Sequence, residues 1–316
     1  MHRHLKYQVI FVRAIRIGTK MKNNKTMPLI ENISIYFRMI KFSHTIFALP
    51  FALAAAILAW RQYPVDLAGI FWVLVAMTSA RSAAMGFNRI ADAGFDAKNI
   101  RTVRRAIPAK DISLVSAAIF VLLFSLVFVF ASAMLGRICF YFAFPVLIIL
   151  CSYSYAKRFT LLSHLYLGFA ISLAPVGAWI ALTKTFSFSI LLLSMALMFY
   201  IAGFDILYAC QDIDFDRKTG LYSIPAGLGI KKALMISTIM HFCAFFFFCL
   251  IYFAFDLHLI YLLTLFIIGI LLIIEHKIVR FDDLEKIGIA FFNVNSVISI
   301  TLFVGIFFDE LTRRWI

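Results

Sequence analysis

Nine stretches of this chain are apolar for long enough to cross a lipid bilayer, near residues 42–60, 67–88, 112–135, 138–155, 161–183, 187–209, 233–255, 257–275 and 288–308. A hydrocarbon core of about 30 Å needs about 20 helical residues. Because that core offers the backbone no water, each stretch is expected to be a helix. The predicted fold is therefore all-α, a polytopic membrane protein of about nine transmembrane helices. Pro50, Pro145 and Pro175 fall inside these stretches and are expected to mark kinks. Composition points the same way. Hydrophobic residues make up 63% of the chain and charged residues 15%, which excludes intrinsic disorder and argues against a soluble domain.

No low-complexity linker divides the chain. Residues 36–316 are expected to form one transmembrane domain. Residues 1–35 form a basic N-terminal segment with a short apolar patch, Val9–Val12, too short for a secretion signal. It is expected either to lie on a surface or to precede the true start, with Met21 and Met27 as alternatives. The five cysteines show no CxxC pair and no metal-ligand spacing, so neither a disulfide framework nor a zinc site is implied.

The formal net charge is +14, from 30 Lys+Arg against 16 Asp+Glu. In a soluble chain this excess would suggest nucleic acid. Here, if the N-terminus lies inside, 24 of the 30 cations fall on one membrane face, which is the positive-inside pattern. The expected location is a membrane crossed with the N-terminus on the cytoplasmic side, with the lipid bilayer as a partner and no nucleic acid.

Acids are scarce, so their placement is informative. Asn88, Asp92 and Asp96 are spaced four apart, and four residues turn a helix by about 400°, so the three are expected on nearly one face. At the end of the sixth stretch Asp205 and Asp212 are seven apart and Asp212 and Asp216 four apart, again expected on one face. Like charges at this spacing oppose helix stability, and two such faces at one membrane surface need a counter-charge. Mg²⁺ is the simplest, because it takes oxygen ligands and commonly joins one or two carboxylates to substrate phosphates. Arg101, Arg104, Arg105, Lys110, Lys157, Arg158, Arg217 and Lys218 flank the two clusters. Lys157, in a short polar turn after a span, would neutralise a departing phosphate oxygen. Arg81 is the one cation inside a span. It lies seven residues before Asn88, about 10 Å deeper, and eleven before Asp92, close to the same face. It is expected either to pair with Asp205 or to hold the carboxylate of an aromatic substrate.

At these residues the sequence resembles the UbiA family of membrane prenyltransferases, over nearly the whole chain after about residue 35. Asn88-Arg89-Ile-Ala-Asp92-Ala-Gly-Phe-Asp96 is similar to the family's NDxxDxxxD motif. Asp212-Ile-Asp-Phe-Asp216 matches its DxxxD motif, within the longer match Asp205-Ile-Leu-Tyr208-Ala-Cys-Gln211-Asp212. The run from Asn99 to Pro108 is similar to RTxxRPxP, and Tyr155-Ala-Lys157-Arg158-Phe-Thr160 loosely matches YxxKRxT. Two positions depart: Arg89 replaces the motif's first Asp, and Ala106 stands where Pro is usual. The variant, with the segment Arg38 to Pro50, looks like the UbiA-like bacterial 4-hydroxybenzoate polyprenyltransferase branch.

The resemblance implies a UbiA-type fold with a central cavity. It implies Mg²⁺-dependent transfer of a polyprenyl chain from polyprenyl diphosphate to the ring of an aromatic acid, for ubiquinone or menaquinone synthesis. The acceptor is 4-hydroxybenzoate or a dihydroxynaphthoate of the futalosine route. Asn88, Asp92, Asp96, Asp212 and Asp216 would bind metal and diphosphate. Lys157 and Arg105 would stabilise the leaving diphosphate, with Arg158 and Tyr208 also in the substrate site. Arg81 would hold the acceptor's carboxylate, and Asp205 would orient the ring or take a proton. A secondary transporter is the rival of another class. Its site would sit near the bilayer midplane, whereas these acids lie at span ends ringed by Lys and Arg. The seven histidines show no HExxH or paired spacing, and most are expected in loops and interfaces. Asn293 and Asn295 are expected to make interhelical hydrogen bonds.

Overall fold

The structure is a computed structural model that describes residues 29–279 and 287–315. The expectations for residues 1–28 lie outside the described residues. The chain divides into two compact units, Met1–Arg38 and Met39–Ile316. In the first, the described part belongs to helix α1 (Leu29–Met39).

A left-handed Lys41 (φ 46°) leads into a 3₁₀ turn, Phe42–Phe47, and then α2 (Leu49–Trp60). The turn and α2 form one apolar rod, Phe42–Trp60, long enough to cross a membrane. Pro50 sits in the first turn of α2, where its missing N–H costs nothing; it opens a helix and does not kink one. Next come α3 (Leu67–Ala91), the short α4 (Ala93–Asp96), α5 (Leu114–Leu135) and α6 (Arg137–Ala156). They are followed by α7 (Ser163–Thr183), α8 (Phe188–Ala209), a 3₁₀ turn at Cys210–Asp212, α9 (Ile213–Thr219) and α10 (Ile224–Leu228). The chain ends with α11 (Ile230–Ala254), α12 (Leu259–Ile278), α13 (Ile287–Ile289), a π-helical turn at Ala290–Val294 and α14 (Asn295–Trp315). Pro145 and Pro175 are interior to α6 and α7.

Among the described residues, nine helical segments are long and apolar enough to cross a membrane, and none is a strand. The protein is a multi-pass, all-helical membrane protein, as the apolar runs predict. Most predicted limits hold within a few residues. The seventh span begins at Ile230, earlier than predicted, because Gly229 (φ 81°) separates it from α10.

α8 is the central helix. Its span is 67% buried inside the protein, against 11% for α6, so α6 presents most of its surface outward and α8 only a minor part. Tyr200, Leu193, Leu197 and Ile201 of α8 meet Phe51 of α2 and Phe248 of α11 in the main apolar core. Gly168 brings α7 against the α8 backbone: a Cβ there would collide with the carbonyl oxygen of Met198. That close approach sets which α7 and α8 side chains can touch.

The core also contains polar pairs. Asn295 donates from Nδ2 to Glu275 Oε1 at 2.8 Å, the interhelical bond expected of it. His241 is buried and hydrogen-bonded to His276 at 2.9 Å. His164 is fully buried as well. These two stand apart from the loops and interfaces expected of most histidines, because each packs at a helix–helix contact that spacing along the chain does not reveal.

Candidate active site

Both acid clusters sit where a helix breaks. α3 ends at Ala91, and Asp92 (φ −94°, ψ 1°) separates it from α4. α8 ends at Ala209, and the Cys210–Asp212 turn separates it from α9. The expectation of one continuous helical face through each cluster is therefore corrected. Asn88 and Asp205 lie before the breaks and Asp92, Asp96, Asp212 and Asp216 at or after them, and all six line one cavity of about 260 Å³. Arg81, Arg105, Lys157, Arg158 and Tyr208 line it too, so every candidate site residue meets in one place.

Each of the four motif aspartates has its own cation. Arg101 pairs with Asp212, Arg105 with Asp96 at 2.8 Å, Lys157 with Asp216 at 3.9 Å and Arg158 with Asp92 at 3.9 Å. Asn99 donates to Asp212 Oδ1 at 3.0 Å, and Arg101 also donates to the Tyr208 hydroxyl at 2.6 Å. Asp96, Asp212 and Asp216 are buried, and buried carboxylates need such partners. Burial pushes the Asp92 carboxyl above the ordinary aspartate range, and the neighbouring Asp96 adds to this against Lys157, Arg89 and Arg158. Lys41 donates to the Tyr208 hydroxyl at 3.4 Å, and burial lowers its pKa.

Carboxylate and amide oxygens are the hard donors that Mg²⁺ takes. Among the described residues, no three His, Cys, Asp or Glu side chains are gathered closely enough to hold an ion by themselves. The set thus suits a cation whose shell is completed by water and substrate phosphate, and does not form a preformed protein cage.

Arg89, at the motif's departing position, is buried and lines the same cavity, but among the described residues makes no direct ion pair with the acids. It donates from Nε to the Met39 carbonyl at 3.0 Å and from Nη1 to Asn88 Oδ1 at 3.2 Å. Asn88 in turn donates from Nδ2 to Asp92 Oδ2 at 2.9 Å.

Arg81 and Asp205 do not pair, so that expectation is corrected. Asp205 is hydrogen-bonded to His164 Nδ1 at 2.7 Å. The Arg81 Nη2 makes only a 3.5 Å contact to the Lys41 carbonyl, and its buried Nε has no hydrogen-bond partner. Arg81 stands at a junction. It lines the polar cavity and also a second cavity of about 390 Å³. Val73, Ala80, Phe128, Leu135, Val146 and Ile180 are among the apolar residues around the second cavity.

Three consecutive residues strap the site together. Tyr222 donates from its backbone to the Lys157 carbonyl at 2.7 Å. Ser223 donates from Oγ to Asp216 Oδ2 at 2.8 Å, and Ile224 N–H donates to His164 Nε2 at 3.4 Å. Sequence spacing places none of Ser223, Asn99 and His164 in the site. Asn99 lay within a quoted motif; a lone His at the start of an apolar run carries no signal.

Known proteins share this sequence pattern and fold. The sequence profile of the UbiA prenyltransferase family matches residues 48–297. The chain is 29% identical over 162 residues to a 4-hydroxybenzoate octaprenyltransferase of Pasteurella multocida (strain Pm70). That match spans 50% of this chain and 56% of the relative, so it covers little more than half of that protein's length. The apo structure of a UbiA homolog from Aeropyrum pernix K1 is 33% identical, with a TM-score of 0.77 over 84% of this chain and 98% of that one. A UbiA homolog from Archaeoglobus fulgidus, solved with GPP and Mg²⁺, shares the fold at 17% identity, with a TM-score of 0.66 over 86% of this chain and 99% of that one. A profile match across most of the chain, on a fold that brings both aspartate motifs to one cavity, establishes that the chain belongs to the UbiA prenyltransferase family.

Proposed function

We propose that the protein transfers a polyprenyl chain from polyprenyl diphosphate to a ring carbon of an aromatic acid, 4-hydroxybenzoate, and requires Mg²⁺. The observation that carries the reading is Arg81, a guanidinium whose buried Nε lacks a partner, at the junction of a polar and an apolar cavity. A buried cation calls for an anion, and the planar guanidinium matches a carboxylate with two parallel hydrogen bonds. The Pasteurella relative's name supports the acceptor, and the ligands of the Archaeoglobus homolog support the donor and the cation.

Asp92, Asp96, Asp212 and Asp216, with Asn88, would hold Mg²⁺ against the diphosphate. Bound there, Mg²⁺ supplies positive charge to the diphosphate oxygens and so favours departure of that group. Arg101, Arg105, Lys157 and Arg158 already stand beside these carboxylates. When the diphosphate enters, they exchange a carboxylate partner for phosphate oxygens, and they stabilise the electron pair that leaves with the broken allylic C–O bond. The isoprenoid tail lies in the apolar cavity. Arg81 holds the acceptor's carboxylate so that a ring carbon faces the allylic carbon, and the new C–C bond forms there. Asp205, on the cavity wall, accepts a hydrogen bond from the phenol and raises the ring's electron density. The ring proton then leaves to solvent. The excess of Lys and Arg around this end of the bundle supports the reading that it faces the cytoplasm, in a bacterial inner membrane. The test is Asp205→Asn: the acceptor's KM should rise while the half-saturating concentration of prenyl diphosphate stays the same. Equal disturbance of both would refute the assignment.

A further inference from the structure

Asp205 is the only motif-region aspartate on the cavity wall, among those described, whose recorded partner is not a Lys or Arg. Its partner is His164, at 2.7 Å from Nδ1 to Oδ2. The two come from neighbouring helices, α7 and α8, 41 residues apart, and the Gly168 approach brings those helices together.

The geometry decides which of the two meets substrate. His164 is fully buried and does not line the cavity, whereas the Asp205 side chain is 21% exposed and does. Both ring nitrogens of His164 are committed. The Ile224 N–H can only donate, so Nε2 must accept its hydrogen bond (3.4 Å), and the ring proton must sit on Nδ1, facing Asp205. A histidine fixed in this way cannot exchange a proton with a molecule in the cavity. It can hold one carboxylate oxygen still and leave the other to face the cavity.

Ile224 is itself anchored. The preceding residue, Ser223, is fully buried and donates to Asp216 while capping α10 through Ala226 N–H at 3.3 Å. One residue earlier, Tyr222 holds the backbone of Lys157 at 2.7 Å. The strap therefore grips the diphosphate side of the cavity through Lys157 and Asp216, and the acceptor side through His164 and Asp205.

We propose that His164 is a positioning residue for prenyl transfer: donating from Nδ1, it fixes Asp205 in the orientation that receives the acceptor's phenol, and the Ile224 N–H of the strap locks it in that role. The proposal rests on the reading of Asp205 as the acceptor-facing carboxylate. Partners that orient a reacting group in this way are typically worth roughly ten- to hundredfold when removed.

The test is a double-mutant cycle on the full-length protein in membranes, with 4-hydroxybenzoate, a polyprenyl diphosphate and Mg²⁺ as probes. His164→Leu should lower kcat/KM for the acceptor about tenfold or more, with the half-saturating prenyl diphosphate concentration unchanged. His164→Asn, whose side-chain N–H takes the place of Nδ1–H, should recover most of that loss. In the Asp205→Asn background, His164→Leu should have no further effect. Ile224→Pro deletes the locking N–H at a helix position that accepts proline, and it should shift acceptor kinetics in the same direction by a smaller factor. It also keeps the test open should His164→Leu fail to fold, which a thermal melt in detergent would reveal. If Asp205→Asn impairs the acceptor while His164→Leu and Ile224→Pro do not, the positioning role is overturned and the reading of Asp205 stands. Independent, multiplying effects in the cycle also overturn it. If Asp205→Asn leaves acceptor kinetics unchanged, both fall.

Discussion

Arg89 donates from Nη1 to the amide oxygen of Asn88 at 3.2 Å, and so turns the Asn88 amide nitrogen toward Asp92, 2.9 Å away. The residue that departs from the family motif is thus an orienting cation. Its Nε is anchored on the Met39 carbonyl at 3.0 Å. Arg89→Ala should leave Asn88 free to rotate and raise the Mg²⁺ concentration needed for half-maximal activity by roughly tenfold. The 4-hydroxybenzoate KM should change little. A Mg²⁺ titration of membranes checks this, and an unchanged midpoint would show that Asn88 needs no support.

Arg81→Ala removes the buried cation at the junction of the two cavities. A hydrogen bond to a charged group is worth about 1.5–3 kcal/mol, so the acceptor's KM should rise roughly 10- to 100-fold. Binding of prenyl diphosphate, measured separately, should persist. Arg81→Lys keeps the charge but not the fork and should fall between. Loss of donor binding in Arg81→Ala would give this residue a different role.

Ser223→Ala deprives the buried Asp216 of its 2.8 Å hydrogen bond. An unsatisfied buried group costs about 1–3 kcal/mol, which should appear as a weaker hold on Mg²⁺ and diphosphate of roughly tenfold. The cap lost from α10 should also lower the Tm measurably. A lower Tm with donor and Mg²⁺ dependence unchanged would confine Ser223 to a structural role.

The Asp92 carboxyl is held above the ordinary aspartate range by burial first and by Asp96 second. Its protonated form is therefore populated at a higher pH than for a free aspartate. Since metal binding needs the carboxylate, the Mg²⁺ requirement should climb as pH falls, beginning above the ordinary aspartate range. Below the shifted pKa the climb should approach tenfold per pH unit, and excess Mg²⁺ should reverse it. Mg²⁺ titrations at stepped pH read this directly; a requirement that stays flat down to the ordinary range would contradict it.

The nine spans are legible in the sequence because length and apolarity alone decide that a segment must be helical in lipid. The aspartates are legible because acids are scarce and spaced at one-face helical intervals of four and seven. The breaks at Asp92 and at Cys210–Asp212 are not. Spacing describes an ideal helix, and only the backbone shows where each cluster departs from it. His164 and Asp205 are 41 residues apart, and their contact depends on how closely α7 approaches α8, which no local pattern encodes. The same holds for the strap, where an unremarkable Tyr-Ser-Ile supplies three anchors. Pro50 shows the opposite case: a residue read as a kink lies where a helix begins.

The central claim is chemical, and mass spectrometry of the reaction product tests it most directly. Membranes containing the protein would be incubated with 4-hydroxybenzoate, a polyprenyl diphosphate and Mg²⁺. The predicted product is the acid carrying one prenyl chain on its ring, released with one equivalent of diphosphate. It should be absent without Mg²⁺ and absent for Asp92→Asn and Asp212→Asn. Full turnover by both variants would contradict the site. Accumulation of the unmodified acid inside vesicles, with no prenylated product, would contradict the reaction itself and indicate a transporter.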